Sequence, residues 1–185
     1  MKNKNFDKKK YIIRPSKECA YIGVFVALVI ALQLALSFVP GVELVTILFI
    51  CYSFIFGITR GLISATAFSL LRQFVFGFNP TVIILYLIYY NLLCLIFGLL
   101  GKTLKIPKHL YIVVIIAVLL TAIFTLLDDL ITPLFYSYSQ RATKAYFYAS
   151  LTFMLPQVIC NLIASIILFI PLTKAFTLAK KGLIC

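Results

Sequence analysis

The chain has 185 residues, of which 63% are hydrophobic and 12% charged, and its formal net charge at pH 7 is +12. Soluble globular proteins are about 45–50% apolar and about 25% charged, and disordered chains have low hydrophobicity, so the composition excludes both classes. Seven of the 17 lysines and arginines lie in the first 17 residues, and most of the others lie at the ends of apolar runs. This is the distribution of juxtamembrane charge and not of a nucleic-acid-binding surface.

The apolar runs predict membrane-spanning helices, because they are long and show no period-two alternation. We predict an all-α integral membrane protein, a compact bundle of six transmembrane helices. A basic tail, residues 1–17, precedes one membrane domain, residues 18–178, and a short tail, residues 179–185, follows it. The predicted helices are, in chain order, about 19–39, 44–58, 61–77, 81–101, 110–130 and 146–173.

The segment 44–78 is too long for one straight span and short for two. The run Gly-Ile-Thr-Arg-Gly at residues 57–61 places two glycines around a charge, which favours a tight turn between two short helices. The alternative is one long helix followed by a re-entrant segment. The fifth predicted helix ends in two acids, Asp128 and Asp129, whose charge is unfavourable at a helix C-terminus.

The distribution of basic residues predicts the orientation of the bundle. With six helices, the N-terminal tail, the turn at Arg60, the loop 102–109 and the C-terminal tail share one side and carry 14 of the 17 basic residues. The other side receives Arg72, Arg141 and Lys144. The positive-inside rule therefore predicts that both termini are cytoplasmic.

The first helix carries a ladder of small residues, Gly23, Ala27, Ala31 and Ala35. Residues four apart share one helix face, so the ladder forms a smooth strip of about 18 Å. Such a strip lets another helix approach closely. The partner is either another helix of this same bundle or a separate membrane protein.

In its architecture and in this ladder the chain resembles the substrate-binding S components of energy-coupling factor (ECF) transporters. The similarity in motif covers residues 23–57: the alanines of the ladder, the loop Pro-Gly-Val-Glu-Leu at 40–44 before a short second helix, and the Phe-Gly pair at 56–57. The resemblance implies a subunit in the plasma membrane of a prokaryote that binds a small water-soluble vitamin or related micronutrient at the extracellular side. It also implies that helix 1 docks on a transmembrane T subunit, which a pair of cytosolic ATPases powers.

The motifs that are missing fit a binding subunit better than an enzyme. The sequence has no Walker phosphate loop, no H-E-x-x-H motif and no pair of cysteines at metal-ligand spacing. We therefore expect no catalytic residue, no metal and no cofactor in this chain. The alternatives are an accessory or structural subunit of another membrane complex and, less favoured, a membrane enzyme that acts on lipid substrates.

Two charged residues at predicted membrane depth are candidate binding residues, since ionisable groups in the membrane are costly. Glu43 ends the first external loop between two apolar neighbours. It is either a ligand contact or a solvated charge at the end of a loop. Arg72 interrupts the third span, where it extends toward the membrane surface, pairs with Glu43 or binds an anionic group of a ligand.

The remaining candidates for substrate binding lie on the last three predicted helices and are Tyr86, Tyr90, Asp128, Gln157 and Asn161. The tyrosines suit either stacking against a flat heterocycle or plain packing. Gln157 and Asn161, four residues apart, bond either neighbouring helices or a ligand. We expect these side chains to converge on a pocket at the outer half of the bundle. The outer charges sum to zero, which argues against a multiply charged ligand.

Overall fold

The structure is a computed structural model that describes residues 15–39, 43–104 and 109–184. The described residues form helices and turns, with no strand among them, which confirms the all-α class for this part of the chain. The helices are α1 Pro15–Leu36, α2 Val45–Phe56, α3 Ile58–Leu71, α4 Gln73–Phe76, α5 Pro80–Thr103, α6 Leu110–Phe135 and α7 Gln140–Ile184. Most of the basic tail, the loop residues 40–42 and 105–108, and Cys185 lie outside the described residues, so the predictions made for them stay predictions.

Four of the described helices are long and apolar enough to cross a membrane, namely Ser16–Leu36, Pro80–Thr103, Leu110–Phe135 and Gln140–Gly182. Large apolar side chains are exposed on their outer faces, for example Leu28, Ile88, Leu119 and Ile167. Contiguous apolar surface of this kind is rare on soluble monomers. The chain therefore has the features of a multi-pass membrane protein.

Two contacts place both ends of the described chain at one end of the bundle, which we call the terminal end. Near the start of α1, Glu18 accepts a charged hydrogen bond of 2.6 Å from Arg60 on the first turn of α3. Near the end of α7, the Lys180 Nζ donates to the carbonyl oxygen of Ile55, 2.5 Å away. The turn between α2 and α3 therefore lies beside the start of α1 and the end of α7.

The second helix forms the core of the bundle. All but one of the residues of α2 are buried, and the helix packs against α1, α3, α5 and α7. A helix that is apolar on every face is typical of a protein core or of a membrane span, and α2, with 12 residues, is too short to span a bilayer by itself. Aromatic rings fill the space around α2: Phe49 contacts Tyr90 at 4.9 Å between ring centroids, and Tyr52 stacks on Phe25 at 4.0 Å.

Glycines decide where the short helices turn and where helices approach closely. The break between α2 and α3 falls at Gly57, whose φ of 86° favours glycine. The predicted turn over residues 57–61 is therefore wrong in its extent, because Gly61 already belongs to α3. On α5, a side chain at Gly98 or Gly101 would collide with the backbone around Ile58 or Phe54, so these glycines permit α5 to lie directly against the α2–α3 turn.

The last two helices are longer than the sequence predicts. Helix α6 continues through Pro133 to Phe135, so Asp128 and Asp129 do not end it. Helix α7 has 45 residues and passes through Pro156 and Pro171. Apart from these two prolines the run 140–180 has few residues that end helices, because Gly and Asp are absent and Ser is scarce. The helix is about 68 Å long, more than twice the hydrocarbon core of a bilayer.

Candidate functional site

The carboxylate of Glu43 joins three helices at one point. It accepts hydrogen bonds from the Tyr90 hydroxyl of α5 at 2.9 Å, from the Thr46 hydroxyl of α2 at 3.3 Å, and from the Gln157 amide of α7. An ionised carboxylate only accepts, so Gln157 must direct its NH₂ group at Glu43. Three of the predicted binding residues are thereby brought into direct contact.

Glu43 is recessed from the end of the bundle opposite the terminal end. Helix α1 has 22 residues and is about 33 Å long, whereas α2 has 12 residues and is about 18 Å long. Because α1 begins and α2 ends near the terminal end, this difference in length places the first turn of α2 below the far end of α1. Glu43 is only half-buried at this depth, and an ionisable side chain there is a candidate for function.

Arg72 does not pair with Glu43, which was one of the three predicted alternatives. Its Nε donates to the Gln33 side chain of α1 at 2.9 Å, and Gln33 in turn donates to the Tyr86 hydroxyl at 3.2 Å. The guanidinium also lies 4.4 Å from the ring centroid of Phe76 and 4.7 Å from that of Tyr86. These contacts stabilise a cation next to aromatic rings, without a carboxylate.

Tyr86 and Tyr90 are buried in an aromatic cluster. Their rings meet edge to face at 5.2 Å, and Tyr90 is also 5.2 Å from Phe68. Tyr86 and Tyr89 lie 5.9 Å and 4.7 Å from Phe124 of α6. Tyr86 therefore packs directly behind Phe124, whereas Tyr90 packs on Tyr86 and Tyr89. The hydroxyls of Tyr86 and Tyr90 are bonded to Gln33 and Glu43.

A cavity of about 330 Å³ lies between α6 and α7, beside this cluster. Two predicted residues, Asp128 and Gln157, line it. The lining residues that sequence reasoning missed are Phe124, Thr125, Tyr146, Ala149, Ser150 and Phe153. Four of the residues on α7 recur at positions 146, 150, 153 and 157, a spacing that marks one helix face. The predicted helix 146–173 contains all four positions, so their spacing is a signal that the sequence already carries.

The two adjacent acids of α6 are held by neutral hydroxyl groups. Asp128 accepts from Thr132 at 2.8 Å and from Tyr146 at 2.7 Å, and Asp129 accepts from Ser150 at 2.7 Å. Arg141 and Lys144 make no ion pair with either acid within the described residues. Both side chains are exposed on the first two turns of α7.

Asn161 lies deeper and bonds a neighbouring helix, which is one of its two predicted roles. Its amide donates to the Ala117 carbonyl oxygen at 3.2 Å and to the Thr121 hydroxyl, and its oxygen accepts from Ser165 at 3.3 Å. Only 1% of the residue is exposed. Asn161 therefore bonds α7 to α6 and does not line the cavity.

The four residues of the α1 ladder are all exposed. The buried face of α1 consists instead of Ile22, Phe25, Val26 and Val29, and a methyl group added at Gly23 would meet nothing within 4 Å. The ladder is therefore not a packing seam inside this bundle. It forms a smooth outer strip that runs along the helix toward Ala35.

Comparison of the chain with family models, with curated proteins and with solved structures finds no match.

Proposed function

We propose that this protein is the substrate-binding subunit of an ECF-type importer. It binds a small water-soluble vitamin or related micronutrient and docks through α1 on a transmembrane T subunit that cytosolic ATPases power. The observation that carries the proposal is the exposure of Gly23, Ala27, Ala31 and Ala35, because a long smooth strip left free by its own bundle fits close contact with a helix of another protein.

The position of the cavity supports a binding role. In the proposed orientation, the terminal end faces the cytoplasm and the cavity lies in the extracellular half of a prokaryotic plasma membrane. Ligand pockets have apolar walls and a few convergent polar groups, with volumes from about 300 Å³. The cavity combines Phe124 and Phe153 with Asp128, Ser150 and Gln157, and its volume of about 330 Å³ suits a ligand of one or two rings.

The first experiment is a binding screen. The protein, purified in a neutral detergent, is titrated by calorimetry with a panel of water-soluble vitamins. We expect one member of the panel to bind at a single site. If none binds, importer function is excluded for that panel and an accessory subunit of another membrane complex becomes the better proposal, since the exposed ladder would also fit that role.

The second experiment separates docking from binding. Ala31→Leu adds bulk to the ladder, and Ala175→Leu makes the same change at an exposed position of α7. Both variants are co-expressed with the T subunit and ATPases of the same genome, and uptake of the bound vitamin is measured. We expect Ala31→Leu to retain binding and lose uptake, while Ala175→Leu keeps both. Equal uptake by the two variants would contradict docking through α1.

A further inference from the structure

The polar groups that line the cavity between α6 and α7 offer acceptors. Tyr146 directs its proton to Asp128 at 2.7 Å, and the Ser150 hydroxyl lies between two acceptors, Asp129 at 2.7 Å and the Phe147 carbonyl at 2.8 Å. Gln157 directs its NH₂ group to Glu43. A hydroxyl whose proton is engaged presents only lone pairs, and the amide of Gln157 keeps its oxygen as an acceptor. The hydrogen-bonding positions that these side chains leave free are acceptors, so they suit a ligand that donates hydrogen bonds.

Three carboxylates surround the same cavity, and none of them forms an ion pair with a lysine or arginine among the described residues. Asp128 lines it, whereas Asp129 and Glu43 lie directly behind Ser150 and Gln157. Across residues 15–39, 43–104 and 109–184, Glu18 is the only acid with a lysine or arginine within 4.0 Å. Arg72 is held by Gln33 and two aromatic rings. The sequence places equal numbers of acidic and basic residues on the outer side, but the side chains around the cavity carry an excess of negative charge.

Thr125 supplies an independent indication of a ligand. The residue is 7% exposed, it lines the cavity, and its hydroxyl has no hydrogen-bond partner. One turn earlier on the same helix, Thr121 donates to the Ala117 carbonyl oxygen at 3.0 Å, the usual solution for a threonine in a helix. A buried hydroxyl without a partner is unfavourable unless something else bonds it.

The apolar walls limit the shape of the ligand. Phe124 closes the inner side against Tyr86 and Tyr89, while Phe153 is 59% exposed and leaves that side of the cavity accessible. Aromatic faces attract cations as well as flat rings. On α6, Phe124 lies one turn closer to the terminal end than Asp128. A ligand would therefore place its apolar part beside Phe124 and its charged part near the carboxylate of Asp128.

We propose that this cavity binds a small organic cation, an ammonium or amidinium group carried by a flat apolar ring. The ring packs between Phe124 and Phe153, and the cationic group donates hydrogen bonds to Asp128 and to the acceptor oxygens beside it. This assignment rests on the proposed function, which it deepens by naming the charge and shape of the solute.

A series of three probes that share one ring tests the charge. Benzylammonium, benzyl alcohol and benzoate carry charges of +1, 0 and −1, and each is titrated into the full-length protein in a neutral detergent near pH 7. We expect benzylammonium to bind at least tenfold more tightly than benzyl alcohol, and benzoate to bind most weakly. Equal affinity for benzylammonium and benzyl alcohol would overturn the proposal. Tightest binding of benzoate would also overturn it and would indicate recognition by Arg72.

Variants locate the cation within the cavity. Asp128→Asn keeps the shape and removes one charge, and we expect it to abolish the preference for benzylammonium over benzyl alcohol. Glu18→Gln removes one charge at the terminal end and serves as the matched control, for which we expect no change in either affinity. Thr125→Val, which leaves every observed hydrogen bond intact, should weaken benzylammonium binding several-fold even if Asp128→Asn fails to fold. Unchanged binding in a folded Asp128→Asn or in Thr125→Val would refute the assignment.

The two proposals fail in different ways. A vitamin that binds, together with no binding of benzylammonium, would overturn the cation assignment and leave the importer proposal standing. Benzylammonium binding that depends on Asp128, together with no binding in the vitamin panel, would support the cation site and contradict vitamin import.

Discussion

The contacts of Glu43 predict a measurable loss of stability when its charge is removed. Glu43→Gln preserves the size of the side chain but replaces one acceptor oxygen by a donor, which then faces the amide of Gln157. Interhelical hydrogen bonds in membrane proteins contribute about 0.6 kcal/mol on average and up to about 1.7 kcal/mol. Since two interhelical bonds, from α5 and α7, and one local bond from Thr46 converge on the carboxylate, we expect the free energy of unfolding to fall by about 2 kcal/mol.

The measurement is a reversible unfolding titration with dodecyl sulfate in mixed micelles, followed by circular dichroism. Tyr90→Phe removes one of the three donors, and its cost should be smaller in the Glu43→Gln background than in the native protein, because the charged acceptor is gone. Tyr148→Phe is the matched control, since Tyr148 is 70% exposed. Glu18→Gln, which breaks a partly exposed ion pair, should cost no more than about 1 kcal/mol.

The reasoning would be refuted if Glu43→Gln cost no more than Glu18→Gln. It would also be refuted if the effects of Glu43→Gln and Tyr90→Phe were simply additive, because direct contact between two groups requires coupling.

Further predictions concern packing, topology and the amides of α7. Gly101→Ala should destabilise the protein by about 1–3 kcal/mol, because the added methyl group meets the backbone of α2. Gly23→Ala, on the open face of α1, should leave stability unchanged or raise it by up to about 1 kcal/mol. Thermal unfolding in detergent compares the two variants. In a cysteine-free background, Gln140→Cys should react with an impermeant thiol reagent from outside the cell, and reaction from the cytoplasm alone would contradict the proposed orientation. Calorimetry should show up to about tenfold weaker ligand binding for Gln157→Ala, whereas Asn161→Ala should lower stability at nearly unchanged affinity per folded protein.

Much of the candidate site can be found in the sequence, because polar side chains at membrane depth are few and must find partners. This argument selects Glu43, Tyr90 and Gln157, and the structure brings all three into contact. It does not distinguish a polar side chain that lines a cavity from one that joins two helices. Gln157 and Asn161 share a helix face, yet only Gln157 reaches the cavity.

The start of α7 escaped prediction for a different reason. Residues 139–145 contain polar and basic side chains, and such a segment after an apolar run resembles a loop. In the structure residues 140–145 are already helical, so α7 begins at Gln140 and not at residue 146. Helix boundaries depend on contacts with the neighbouring helix, and those contacts are not encoded in the local pattern.

The sequence by itself determined the all-helical class, the apolar helices, the break near Gly57 and the four-residue spacing of the ladder, since each of these depends on composition or on local backbone preference. Which face of each helix points inward was decided by the tertiary structure alone. The helices are apolar on nearly every side, so they lack the alternation of polar and apolar faces that orients a helix in a soluble protein. Only packing around α2 shows that Val26 and Val29 of α1 are buried and that Ala27 and Ala31 remain exposed.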